Sequence, residues 1–391
     1  MIGIGPNIGS SIFLLIGLAT EIVGPALLIT FLLNFIVTIF TALAYAELSS
    51  AFPETGGGYL WIKEGLFEPL GFLGGWMSWI GHCIACSVYA IGFGTGVSLL
   101  LDQYNIVIPG VPMEWVSTAF TVGIAVLFCL LNIRGVKGAG KSEILVSSFL
   151  LGIIVLFCLF CIAYVFGSPD AAGASGFGPV FVPFGYLSIA TSMGFTFMIF
   201  EGYEVVAQTG EEAKDPERTV PKAMFLCITI SAVLFITVAA VTFATIGWEA
   251  AAVGGDHALN IAADRTIPFM GGALMSVGMI IGSVAAVNSI VFSTSRVSFA
   301  MGRDGNLPTV FGKLHPETHT PVIAILISGI IIIVMAVSFD ISKVATVADV
   351  LILLLFVLVN LSAISLRKKR PDAKRSFITP FFPWIPIIGV V

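Results

Sequence analysis

The chain has 391 residues, 57% of them hydrophobic and only 10% charged, against roughly 25% charge in soluble domains. No soluble core of this length buries so much apolar surface, whereas a bilayer absorbs it. The formal net charge of −5 offers nothing to a nucleic acid, so the expected class is an all-α polytopic membrane protein with the lipid bilayer as its surroundings.

The first predicted element carries the sequence GPNIGSSIF at positions 5 to 13. Pro6 removes a backbone donor and clashes with the preceding turn, and Gly3, Gly5 and Gly9 loosen it further. Unpaired backbone at membrane depth is tolerated only where protein or a water-filled cavity covers it. A break here leaves N–H groups free around Gly9, Ser10 and Ser11. At the positive end of the following half-helix they suit a carboxylate. A proline kink packed against its neighbours is the plainer alternative.

Further spans follow as stretches free of Asp, Glu, Lys and Arg: Ile22–Ala46, Pro69–Leu101, Trp115–Ile133 and Ile144–Pro169. The third is rich in glycine (GFLGGWMSWIG), as close helix packing requires. After a Gly/Ser/Pro loop the run Ala171–Phe200 enters a sixth span near Tyr186, and Ala223–Trp248, Thr266–Ser295, Thr318–Phe339 and Val350–Leu366 complete ten. Each holds about 20 apolar residues, enough to cross. An eleventh begins near Phe381, and the opening motif lies close to Met1, so the expectation is a core from which both ends are missing. There is no secretory signal pattern.

Lys and Arg concentrate in cytoplasmic loops. Sixteen of the 18 follow even-numbered spans, including the RKKRPDAKR run, and only Arg265 and Lys343 follow odd ones. The N-terminus is therefore expected in the cytoplasm. The basic run reads as a membrane-flanking anchor. The six cysteines all lie in apolar runs and read as small buried hydrophobes. His82, Cys83 and Cys86 have spacing that a metal could use, but no further ligand cluster accompanies them.

The sixth span reads SMGFTFMIFEGYEVV, with Glu201, Gly202 and Glu204 near mid-membrane depth. Gly202 weakens the helix, and an intramembrane carboxylate is a functional-site hypothesis by default. The first and sixth spans each open a set of five (1–167 and 182–370, with 371–391 starting an eleventh helix). An odd number of crossings inverts the second set. Interrupted helices at matching places in inverted halves point to a binding site at the bilayer midplane. N–H groups from one break suit an anion and carbonyls from the other suit a cation, which an α-amino acid combines.

These residues resemble the amino acid–polyamine–organocation superfamily of secondary transporters. The signature of its first helix is similar to Gly5, Ile8, Gly9, Ser10, Ser11, Ile12 and Phe13 here. AYAELSSAFPETGGGY, FEGYEVVAQTGEEAKDPERTVPKA, STSRVSFAMGRDGNLPTVFGKLHPETHTP and LRKKRPDAKRSFITPFFPWIPIIG follow in the family's order. The resemblance covers essentially the whole chain. It implies the five-plus-five inverted fold with broken helices 1 and 6, and alternating-access transport of an amino acid across the plasma membrane without an organic cofactor.

Carried over by position, the resemblance implies that backbone N–H groups of Gly9, Ser10 and Ser11 hold the substrate carboxylate. The carbonyls of Asn7, Met198 and Glu201 hold its amino group, within a site that also includes Ile8, Phe200 and Gly202. Ser11 replaces a usual glycine, Met198 stands where an aromatic gate is common, and Glu201 replaces an apolar residue. Some members carry a lysine in the fifth helix in place of a sodium ion; Phe149 aligns there. Proton coupling is then left to Glu201 or His82, and sodium coupling to oxygens near Ile8 with Ser289 or Ser293. Glu47, Glu204, Arg296 and Arg303 are expected to hold helix ends at the cytoplasmic side, and Asp349 to be solvated at the outer end of the tenth span. A channel would need a selectivity filter, and an enzyme a catalytic cluster; neither pattern is present. A ligand sensor built on a transporter core is the remaining alternative.

Overall fold

The computed structural model describes residues 4–52, 56–135, 139–168, 170–208 and 215–390. Gly3, Lys137, Lys214 and parts of two motifs (53–55 and 209–214) lie outside them. The first predicted span is two helices, α1 (Ile4–Ile8) and α2 (Ser11–Val23), separated at Gly9 and Ser10. A turn at Gly24–Ala26, closed by Pro25, leads into α3 (Leu27–Ala51). The short α4 (Gly58–Gly65) precedes α5 (Glu68–Gln103), α6 (Met113–Ile133) and α7 (Ala139–Gly167). The sixth span is again divided, into α8 (Tyr186–Thr196) and α9 (Tyr203–Gln208). Then come α10 (Pro216–Ile246), the small α11 (Trp248–Gly254) and α12 (Ala258–Thr266), and α13 (Gly271–Arg303). The chain continues through α14 (Val322–Ser338), α15 (Ile341–Lys369) and α16 (Trp384–Ile388).

Seven of these helical segments are long and apolar enough to cross a membrane, the α2–α3 run counting as one. The molecule is a multi-pass membrane protein. Several helices extend beyond the charge-free runs that located them. α15 starts nine residues before Val350, and α13 runs eight beyond Ser295, to Arg303. A charge inside a helix cuts a charge-free run short, although the helix itself continues. α11 and α12 were not expected at all: seven and nine residues are too short to show a spanning pattern.

The centre of the packing is α5, which lies against α13, α15, α6, α4 and α14. Its glycines permit this. A Cβ on Gly74 would sit 2.3 Å from Ile62, and one on Gly75 would sit 2.6 Å from Tyr59, so α4 can lie directly on α5 only because both are bare. All six cysteines are buried, as their apolar settings predict.

The cytoplasmic end of the bundle, as the basic residues orient it, is tied by ion pairs. Glu47 at the end of α3 is 3% exposed and accepts from Arg367 Nε at 2.8 Å and from the Thr379 N–H at 2.9 Å. Arg375 Nε approaches it at 3.2 Å. Lys63 donates to Asp304 at 2.7 Å, joining α4 to the end of α13. Arg303 stays largely exposed beside Asp304, and Arg296 stacks over Phe292 at 3.9 Å.

Candidate transport site at the two helix breaks

The first break is made by close approach as much as by local preference. Gly9 takes φ +44°, its N–H still bonded to the Gly5 carbonyl at 2.8 Å. A Cβ there would sit 2.4 Å from the Tyr89 ring. Across the same point, a Cβ on Gly282 of α13 would meet the Gly9 carbonyl at 2.2 Å, and one on Gly92 of α5 would meet Ser10 Oγ at 2.4 Å. Three backbones therefore converge where only glycines fit. The Phe13 and Leu14 N–H groups both turn to the Ser10 carbonyl (3.1 and 3.2 Å), so α2 starts afresh inside the protein. The Ser11 hydroxyl donates to the Ile8 carbonyl at 2.9 Å. Asn7, Ile8, Ser10 and Ser11 are fully buried, and Ser10 Oγ has no hydrogen-bond partner.

The second break is longer. After α8 the chain tightens into a 3₁₀ turn, Phe197–Phe200, then extends at Glu201 (φ −77°, ψ 158°). Gly202 follows at φ +114°, a conformation that favours glycine. Its N–H is held between both carboxylate oxygens of Glu204, each at 2.9 Å. Glu204 therefore caps the broken end from within α9, and its expected place among cytoplasmic helix ends is corrected to the break itself. Its Oε1 also lies 2.9 Å from His82 Nε2, while His82 Nδ1 faces the Ser78 carbonyl at 2.6 Å. Both ring nitrogens thus face oxygen partners, and the imidazole is held between the backbone of its own helix and the second break.

Asn7 joins the two breaks. With its amide oxygen accepting from Ser231 Oγ at 2.5 Å, its nitrogen donates to the carbonyls of Phe200 (3.2 Å) and Glu201. That orientation satisfies every partner around it. The expected contribution of Asn7 was its backbone carbonyl; the side chain proves to be the tie, from α1 to the second break and α10. The Met198 carbonyl accepts from the Glu201 N–H at 3.1 Å. Met198 and Phe200 are fully buried, with Phe200 against Phe235 of α10 (centroids 6.2 Å apart).

Asp349 is the clearest departure from expectation. It lies two turns inside α15, 1% exposed, because that helix starts at Ile341. Its carboxyl faces that of Glu201, which is 4% exposed. The four carboxyl oxygens make no well-formed hydrogen bond, the Met198 N–H being directed at Asp349. Aromatic rings surround the same region: Tyr45, Tyr203 and Phe356 are mutually within 5.5 to 5.8 Å, and Phe197 is 5.9 Å from Phe356. The hydroxyls of Tyr45 and Tyr203 are buried and unpartnered. Tyr45, Tyr89, Tyr203, Ser231 and Asp349 were missed in sequence. Only Asp349 carried a usable signal, since Ala345, Ala348 and Ile352 mark its side of α15 as the buried one.

The sodium candidates fare differently. Ser289 donates to the Ala285 carbonyl of its own helix at 3.0 Å, the ordinary habit of serine in a membrane helix. Ser293 is buried one turn further along α13. Phe149, aligned with the family's lysine, points outward at 56% exposure; the inward positions of α7 are Ser147 and Leu150. The position that faces the core on α7 is thus one helical step from the one the alignment marked, and neither candidate carries a charge.

A cavity of about 490 Å³ lies between α2, α8 and α15, lined among others by Glu21, Thr191, Phe195, Ser342, Thr346 and Val350. The sequence topology puts it on the outer side of both breaks. It stops short of the buried residues that form them.

The chain is similar over its whole length to a methylthioribose transporter of Bacillus subtilis (strain 168), at 32% identity and spanning 84% of that protein. It is 27% identical to the branched-chain amino acid permease BcaP of the same organism, covering all of this chain and 84% of BcaP. It is 28% identical to the serine/threonine exchanger SteT, covering 99% and 86%. The amino acid permease profile matches residues 1–391, and with two interrupted helices buried at the centre of a multi-pass bundle, the chain belongs to the amino acid permease family, a transporter rather than an enzyme.

Proposed function

We propose that the protein moves an α-amino acid across the plasma membrane by alternating access, with proton-coupled symport or exchange as the mode. The observation that carries this is the pair of buried helix breaks joined by Asn7. In this reading the start of α2, at Ser10 and Ser11, offers N–H groups to the substrate carboxylate, whereas the expected donor at Gly9 is corrected, because its N–H is bonded to the Gly5 carbonyl. The backbone around Met198, Glu201 and Gly202 offers carbonyls to its ammonium group. The side-chain pocket is formed by Phe200, Phe197 and the neighbouring tyrosines. The two sets of five helices are read as inverted repeats, with the N-terminus in the cytoplasm.

Coupling is assigned to protons because Glu201 is a buried carboxyl at the break. Sodium held near Ile8 with Ser293 is the competing mode. The test is uptake into proteoliposomes of labelled leucine, serine and arginine, with methylthioribose included because of the first relative's name. Each is run under a proton gradient, a sodium gradient or neither. Concentrative uptake of an amino acid under the proton gradient is expected. Saturable binding with no uptake of any of them would instead mark a sensor.

A further inference from the structure

Glu201 of the second break and Asp349 of α15 are far apart in the chain, and the bundle presses their carboxyls together with the Met198 N–H, beside Asp349, as the donor directed at them. Of the titratable groups on the elements packed around them, those within electrostatic reach of the pair are Tyr45 on α3, Tyr89 on α5, and Tyr203 and Glu204 on α9, with His82 on α5 and Cys227 on α10 lying beyond, against Glu204. On α15 itself, Asp340 and Lys343 pair with each other at its exposed start. Glu47 is held by Arg367, Lys63 by Asp304, and His82 by Glu204. Among the described residues no Lys or Arg acts on the pair; the groups that do are each other and Glu204. Two carboxylates cannot both stay ionised in such surroundings without a cation between them.

A structural acid pair would be expected to show several donors, and this one has, among the described residues, only the Met198 N–H directed at Asp349 and no well-formed bond to Glu201. The hydroxyls of Tyr45 and Tyr203, equally buried and unpartnered, lie in the same pocket. The cavity also reaches Phe195 of α8, ahead of the turn that leads to Glu201, and Val350 of α15, the residue after Asp349.

We propose that Glu201 and Asp349 act as one unit that carries a single proton through the transport cycle, loaded from the outer cavity and released toward the cytoplasm, one proton per cycle. This rests on the transport reading above and adds Asp349 and the route. The proton arrives from water in the outer cavity and bonds to a carboxylate oxygen of the pair. It leaves from the same unit once the site opens inward, so that no other group gains or loses a proton. Sharing one proton, each acid depends on the other.

Two measurements test this. In proteoliposomes under an inward proton gradient, wild-type uptake of the transported amino acid is expected to bring protons in with it. Glu201→Gln and Asp349→Asn are each expected to abolish that proton entry, Asp349→Asn while exchange of internal for external amino acid continues, and Asp349→Glu is expected to keep it. Wild-type proton entry in Asp349→Asn would overturn the proposal. The second measurement needs no substrate: infrared difference spectra of the purified protein in lipid, taken across a pH series. One protonated-carboxyl carbonyl component is expected to disappear in either single variant, with no greater loss in the double variant. Separate, additive losses, or a spectrum unchanged in both, would overturn the proposal. Should the wild type move no amino acid under any gradient, the transport reading fails while the infrared result still decides the pair.

Discussion

Asn7 shows how much a single side chain carries here. Its amide serves Ser231, Phe200 and Glu201 at once, from a fully buried position. Asn7→Ala strands two carbonyls and a hydroxyl, and each abandoned buried group costs about 1–3 kcal/mol. The expected outcome is a lower unfolding temperature in detergent together with uptake reduced to background, since the two breaks lose their mutual register. Gly9 is constrained differently, by space and by φ. Gly9→Ala would set a methyl 2.4 Å from the Tyr89 ring at φ +44°. Loss of uptake is expected even where the protein still reaches the membrane, checked by surface labelling beside transport.

At the scale of the element, α9 exists because Glu204 caps it. The helix is six residues long, too short to stand alone, and its preceding glycine N–H is held by its own second residue. Glu204→Ala frees that N–H and strips His82 of its acceptor, and breaking a buried pair from one side costs about 3–5 kcal/mol. A double-mutant cycle with His82→Ala is expected to be strongly non-additive in thermal unfolding, because the second change removes the group the first left stranded. Additive losses would mean that the two residues do not act as a pair. The same scale explains why the span boundaries shifted. Periodicity and charge-free runs locate a helix by its lipid-facing surface. α15 hides Asp349 on its inner face, so the run of apolar residues ended where the helix did not.

For the whole molecule, the end of the bundle that carries the basic loops is held by contacts between segments that are far apart in the chain. Glu47 and Arg367 are 320 residues apart, and with Arg375 and the Thr379 N–H they bind α3 to the segment after α15. Glu47→Ala is expected to cost about 3–5 kcal/mol, as for other buried pairs broken from one side, read as thermal unfolding in detergent. The Lys63–Asp304 pair gives a pH signature. Partial burial alone would raise Asp304, but hydrogen bonds from Lys63 and Tyr59 outweigh it and hold the carboxyl below its usual value. A depressed acid adds stability above its unfolded value, about 3.9, and loses it as pH falls through the lower folded value. Wild type is therefore expected to be more stable than Lys63→Met at pH 5 and above, with the difference vanishing in more acidic buffer. A gap that persists in acid would assign it to lost packing of the lysine stem.

Membrane residence and both interrupted helices are properties of the chain as written, because hydropathy and glycine or proline placement act over a few residues. So were Gly9, Ser10, Glu201 and Gly202 as the residues at the two breaks. What the bundle alone decided is which distant side chains meet: Asn7 with Ser231 across 224 positions, His82 with Glu204 across 122, and Asp349 with Glu201. Helical period orients a residue toward the core without naming the helix it will face. That depends on how bare surfaces such as Gly92 and Gly282 let three backbones converge, a property of packed volumes that no single stretch of sequence contains.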